Sequence, residues 1–504
     1  MNHNTKVLTA ILTTLGTLLA GPLPAADEAL LDVLLKNGVI TKAQRDALTD
    51  GKKGPAKPAD AISAKPAPAD DQGLLDVLLE NGLISQAQFA ALQVKTAQQK
   101  RTEHEARASL KDGIKLKSQD GAFQAQIGAY AQLDSAFYSD NPSDFSDATQ
   151  LRRTRLAVYG TVYQDWDYKV EADFAGTTQG GSFNDVTITD AYLRYTGFKP
   201  FSFTAGNFKV PFSLEAVSSA KYITFMERGL PFAFLNLRAL GGMVAANGDN
   251  WTASAGAFGD TVTSENDDDE GKSVAARITY APFFQSDRVL HFGASGAWRE
   301  PPQNAPADPT MPCGAHNSCA ETVRFRSKPE SNPINDSITG GRLVDTGNIP
   351  GDVQYFSLVG AELAGVYGPL SFEGEYIRTD VDRSVGDSLV FDGYYGYMSW
   401  FLTGESRNYK ADKGIFDILV PNKPFSLTTG GRGAWELGAR YSEIDLNDDG
   451  VSGGRERDIT AGLNWYPNPY IRFMANYIHV LEIDGGPHDE ENLDIFQVRA
   501  QVAY

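Results

Sequence analysis

After residue 20 the chain has no apolar run long enough to cross a bilayer as a helix, which takes about 20 consecutive apolar residues. A helical membrane protein is thereby excluded, but a β-barrel is not, because only alternate residues of its strands face lipid. Cysteine and histidine are scarce, with two and six copies in 504 residues. No GxSxG, HExxH or phosphate-loop pattern occurs, and the histidines form no nucleophile–base pair, so catalysis has no good candidate and no cofactor is expected. Cations are outnumbered, 45 Lys and Arg against 64 Asp and Glu, giving a net charge of -19. That balance argues against nucleic acid as a partner of the whole surface, but it does not fix the charge of an enclosed lumen.

The N-terminus reads as an export signal over residues 1–26: Lys6, the apolar run 7–20, then Pro24, Ala25 and Ala26. Export implies an oxidising compartment. There Cys313 and Cys319, in the single polar loop MPCGAHNSCA, read as a local disulfide. His316 is the only imidazole nearby, so a metal site is not expected.

Residues 27–111 form a separate unit in this reading. LLDVLLKNGVI at 30–40 recurs as LLDVLLENGLI at 74–84, with Leu and Val at helical spacing and Asn-Gly as a stop. Second short helices start near Thr41 and Ser85, so each copy is a helical hairpin. A Pro-, Ala- and Lys-rich linker joins them. Residues 86–111 are polar, Gln- and Ala-rich, and read as a helix or short coiled coil.

From Gly121 the period changes to two. In the terminal FQVRAQVAY, Phe496, Val498, Ala500, Val502 and Tyr504 share one face, and Gln497, Arg499 and Gln501 the other. Lipid outside and water inside explain that pattern over about sixteen candidate strands between 121 and 504. The expected fold is therefore all-β: a sixteen-stranded antiparallel transmembrane barrel over residues 120–504, preceded by a small helical region. Short connections such as QDWD, GFKP and PNP suit one end, and long polar ones such as 139–150, 260–271, 299–353 and 484–493 the other. Residues 403–433 fit badly, being long where parity requires a short turn. Residues 445–456, DLNDDGVSGGRE, match a calcium-loop pattern, yet their flanks alternate as strands, so a hairpin is the preferred reading.

The functional reading centres on residues 206–232, GNFKVPFSLEAVSSAKYITFMERGLPF. A strand ends at Pro211, and a long non-strand segment follows with Lys221, Arg228, Ser218 and Ser219, just after Lys209. Inside a barrel, such a segment folds inward and narrows the lumen. The bland alternative is a set of mid-strand cations. On the wall, Arg153 and Arg155 share a face, as do Asp190 and Arg194; Arg152 has the opposite parity but sits at the strand edge. In TVRFRSK, Arg324, Arg326 and Lys328 point one way, about 6.5–7 Å apart if extended, and Arg342 follows in GGRLVDTG. Such a row can pass an oxyanion from site to site. A charged, solvated strand edge reads equally well.

The 206–232 stretch, LRRTR, TDAYLRY, RFRSKPE, GRLVDTG, WFLTGESR, WELGARYS and LNWYPNPYIRFMANYIHV together resemble the phosphate-selective porin O and P family over about 120–504. The resemblance implies a trimeric outer-membrane porin, with the N-terminal region periplasmic, an anion-binding eyelet and an arginine ladder. By motif position the eyelet takes Arg152, Arg153, Asp190, Ser219, Lys221 and Arg228, with Lys209 beside them. The ladder takes Arg324, Arg326, Lys328 and Arg342. Implied partners are small anions such as phosphate or pyrophosphate, outer-membrane lipid, two further copies of the chain, and the barrel-assembly machinery through Tyr504. Arg155 stands where phosphate-selecting members tend to have Tyr, and the ladder is partly Lys. A general or differently selective porin, a barrel hydrolase and a closed structural barrel remain the alternatives.

Overall fold

The computed structural model describes residues 107–109 and 114–504, except 140, 141, 143, 144, 176–185, 261–269, 303–322, 334–340 and 482. Upstream it describes only short helical pieces, the longest at 86–91. The signal, the linker, most of both repeats, and Cys313 and Cys319 lie outside the described residues. The chain divides into two compact units, Met1–Glu105 and Ala106–Tyr504. In the first, a helix starts after Ser85. The Gln88 side chain accepts from the Ser85 amide at 2.9 Å, and Ser85 Oγ accepts from the Gln88 amide at 3.3 Å, a reciprocal cap.

The second unit is a closed antiparallel barrel of sixteen long strands. They are β1 Gln124–Ser139, β2 Ala148–Val162, β3 Trp166–Asp173, β4 Thr187–Phe198, β5 Phe201–Lys209, β6 Arg238–Asn247, β7 Trp251–Phe258 and β8 Lys272–Gln285. Then follow β9 Arg288–Glu300, β10 Val353–Tyr367, β11 Leu370–Arg383, β12 Leu389–Phe401, β13 Ala434–Asp448, β14 Val451–Asn468, β15 Ile471–Val480 and β16 Leu493–Ala503. Each strand pairs with the next, and β16 pairs back onto β1, with Val502 opposite Ala131. Closure removes the free edges that an open sheet would expose.

Alternation decides the faces as expected. Phe496 is 48% exposed on the outside, whereas Gln497 and Arg499 point inward and are buried. Residues 107–109, expected to continue a helix, instead form a strand paired with Ile114–Lys117, which pairs with β1 from Gln124 to Ile127. The reason is an edge: β16 runs out opposite Tyr130, so the first residues of β1 lack a partner until 114–117 supplies one. The calcium-like stretch is a tight hairpin turning at Asp449 and Gly450, the latter at φ 78°. Glu456 is buried on the lumen side while Asp449 is exposed, so the pattern's carboxylates diverge.

Three connections fold into the lumen. Residues 210–237 carry a short helix, α1 (Leu214–Val217), and a 3-10 turn (Leu230–Phe234). Residues 323–349 pack Phe325, Leu343 and Val344 into one apolar cluster with Phe234 and Phe391. Residues 402–433 enter from the short-turn end, which explains their excess length. They form a hairpin of Asn408–Lys410 with Ile415–Asp417, tied to the wall by Arg407 to Glu373 at 2.9 Å and Arg277 to the Gly414 carbonyl at 3.0 Å.

The α1 N-terminus is held by one wall carboxylate. Glu375 of β11 accepts from the amides of Leu214 and Glu215 at 2.9 and 2.8 Å, from Ser213 at 3.1 Å and from Tyr395 at 2.6 Å. Glu375→Ala leaves the buried Leu214 and Glu215 amides and the Ser213 hydroxyl without this acceptor, while Tyr395 keeps Glu373 at 3.0 Å, and the expected cost is about 3–5 kcal/mol. It should appear as a lower urea midpoint for the reconstituted barrel; an unchanged midpoint would show that the segment is anchored elsewhere.

Candidate functional site

The wall presents its charges through two bulges. Between β1 and β2 the register slips, pairing Gln132 with Arg153 and Leu133 with Leu151. Arg152 is the extra residue, so both Arg152 and Arg153 reach the lumen despite their opposite parity. A second slip between β3 and β4 pairs Glu171 with Asp190 and Ala172 with Ile188, leaving Thr189 as the extra residue. The side chain of Asp190 then bonds Lys169 at 2.6 Å and Arg238 at 2.7 Å.

Arg152 and Arg153 converge on a residue that sequence reasoning passed over, Glu227 of the inward segment. Arg152 donates to it twice, at 2.8 and 3.1 Å, Arg153 approaches at 3.4 Å, and Arg499 of β16 at 2.8 Å. Arg499 is also paired with Asp134 at 2.6 Å. The pattern Met226-Glu227-Arg228 drew attention to its cation; the inward parity of Arg499 was the available hint of a second partner.

Two of the expected eyelet cations, Lys209 and Arg228, are bonded to backbone carbonyls. Lys209 donates to the carbonyls of Ala216, Val217 and Ser218 at 2.8, 3.0 and 2.6 Å, closing the C-terminus of α1. Arg228 is buried, donates to the carbonyls of Glu215 and Ser218 at 2.9 and 3.2 Å, and stacks over Phe232. Both cations satisfy backbone that a turn inside the lumen cannot offer to water. Residues 221–228 form turns and bends.

Lys221 lies elsewhere, 5.4 Å from the Tyr130 ring centre and 5.2 Å from that of Tyr222. Its amide approaches Ser219 Oγ at 3.4 Å. It lines a recess of about 440 Å³ with Arg155, Lys169 and Arg194 from the wall and Lys413 from the 402–433 hairpin. No sequence signal tied Lys413 to Lys221, since the two belong to different inward connections.

The other row lies along 323–349. Arg324, Arg326 and Lys328 alternate with the buried Phe325 and Ser327, so the three share the wet side. Arg324 is held by Asp345, Nε to Oδ1 at 2.6 Å. Burial, and then the like charges of Arg342, Arg152 and Arg326, push the Lys328 ammonium down to about 8, while Glu227 pulls the other way. The Lys328 ammonium lies 3.4 Å from the Asn332 carbonyl. Below pH 8 it is charged; above, it is neutral. Block of the current by sulfate, whose charge is constant in this range, should therefore weaken as pH rises from 7 to 9. Lys328→Arg should remove that dependence, and a pH effect that survives the substitution would assign it to another group.

An antiparallel barrel closed around a charged lumen, with an apolar outer face and inward-folded connections, defines a bacterial outer-membrane porin. The chain belongs to the family described as phosphate-selective porin O and P, whose profile it matches over residues 123–504. It is 29% identical over 394 residues to Porin O of Pseudomonas aeruginosa, covering 73% of this chain and 85% of that protein. It is 30% identical over 341 residues to an uncharacterized protein of Caulobacter vibrioides, 65% of this chain and 62% of the other. Among solved structures, the anion-selective porin from Comamonas acidovorans aligns at 11% identity and TM-score 0.45, over 75% of this chain and 99% of that one. The trimer form of OmpT from Vibrio cholerae aligns at 11% identity and TM-score 0.45, over 76% and 100%.

Proposed function

We propose that the chain forms a water-filled channel for small anions, with oxyanions of the phosphate class as its preferred cargo, and that it works as a trimer. The observation that carries this reading is the gathering of Arg152, Arg153 and Arg499 at one point of the lumen, with Arg324, Arg326 and Lys328 on one wet side of an inward connection. Several weak cationic seats in series favour entry of an anion without trapping it. Guanidiniums offer paired donors to the oxygens of phosphate, which chloride cannot use. The family description supports the same cargo class. Asp190 acts here by holding Lys169 and Arg238 in the wall, not by meeting the anion. Lys221 and Lys413 serve the exit side of the constriction. Tyr504 addresses the chain to the assembly machinery.

Reversal potentials of single channels in a potassium chloride gradient test the reading directly. The full-length protein should favour chloride over potassium, and millimolar phosphate should block the chloride current. Arg152→Gln removes one bidentate, charge-assisted contact and should weaken that block about tenfold, equivalent to about 1.4 kcal/mol. A cation-selective wild-type channel would overturn the proposal.

A further inference from the structure

The constriction already contains an anion. Glu227 meets Arg152 through two parallel hydrogen bonds, at 2.8 and 3.1 Å, with further nitrogen contacts from Arg153 at 3.4 Å and Arg499 at 2.8 Å. This is the fork geometry with which guanidiniums take any planar or tetrahedral oxyanion. The cluster also faces water: the side chains of Arg152 and Glu227 are 25% and 14% exposed, whereas that of Arg499 is fully enclosed. A carboxylate of the protein itself thus holds the guanidiniums where they meet the water of the lumen.

We propose that Glu227 is a tethered competitor for the permeating oxyanion: its carboxylate occupies the tightest seat of the constriction, and an anion passes by displacing it from Arg152. The proposal rests on reading the lumen as an anion path, and it assigns to Glu227 the setting of how weakly that path binds. Three guanidiniums in a poorly hydrated constriction would hold a doubly charged oxyanion long enough to stop conduction. Asp134 offsets one of them from behind through Arg499. Glu227 offsets a second, and because it is carried on the inward segment rather than on the wall, it can yield to the passing ion. Arg153 stays in place meanwhile, since its other nitrogen donates to Gln132 at 2.9 Å. Anchors on both sides of Glu227 hold its backbone, and those of Arg228 and Arg440 do not involve its carboxylate. Arg228 is bonded to the carbonyls of Glu215 and Ser218, and Arg499 and Arg440 hold the carbonyls of Met226 and Glu227. The side chain is thus free to swing on a fixed backbone.

The test is Glu227→Gln in the full-length protein, reconstituted in planar bilayers, with inorganic phosphate and sulfate as blockers. Gln keeps the shape and loses the competing charge. The half-blocking concentration of both anions should fall about tenfold or more, and the chloride preference should rise. In detergent, phosphate should raise the unfolding temperature of the Gln variant while leaving the wild type nearly unmoved, a signature that a merely structural ion pair would not produce. Glu227→Asp, which keeps the charge on a shorter arm, should fall between the two, and it serves in place of Gln if that variant inserts poorly. Half-blocking concentrations that stay level or rise in a normally inserted variant would overturn the proposal. A wild-type channel that shows neither anion preference nor anion block would instead overturn the anion-path reading on which it stands.

Discussion

The structure depends on satisfying a polar backbone inside a lumen that is too crowded for water to do it. Residues 210–237 leave the ladder of the barrel and cross its interior, so their amides and carbonyls need partners from the wall. The wall supplies them with charged and amide side chains. Arg472 donates to the carbonyls of Ile223 and Thr224 at 2.7 and 2.8 Å, and Asn464 to that of Thr224 at 2.9 Å. Ser442 accepts from the Leu230 amide at 2.8 Å, and Glu375 from the first amides of α1. A hydrogen bond of this kind adds about 1 kcal/mol, but leaving a buried group unmet costs more. The polar lumen face of β11 to β16 is thus first a scaffold for the constriction and only then a lining.

That priority explains what the sequence could show. Alternation is a local property of consecutive residues, so the sixteen strands, their lipid face and the buried Gln497 and Arg499 were legible directly. Bulges are not local: the slip that turns Arg152 inward exists only because β1 and β2 pair out of step at Gln132. The fate of a cation is not local either. Lys209 and Arg228 carry the same charge as Arg152, yet their donors end on carbonyls of the same segment. Charge sign and spacing mark where donors are; which acceptor claims them depends on the path of a chain up to hundreds of residues away. The long connection 402–433 was legible as an anomaly, since its length violated parity, but its inward course needed the contacts of Arg407 and Gly414 to be seen.

The same accounting reconciles a net charge of -19 with a path for anions. On the side of the barrel from β8 to β15, several buried carboxylates are paired with buried cations. Glu362 meets Arg277 at 2.7 Å, Glu373 meets Arg407 at 2.9 Å, and Glu436 lies 4.0 Å from Arg472. These acids are consumed as anchors and present no charge to the pore. Others lie in connections, as in the run 488–492. Across the lumen, Arg152 and Arg153 of β2 and Arg499 of β16 gather around the one carboxylate of Glu227, and Lys221 of the inward segment is set against tyrosine rings. The field in a narrow, low-dielectric constriction is set by these nearby groups, because distant rim charges are screened within about 10 Å at ordinary salt. Net charge therefore says little about the lumen: many of its charges are spent on holding the inward segments, and what reaches the water is set by the local cluster of Arg152, Arg153, Arg499 and Glu227.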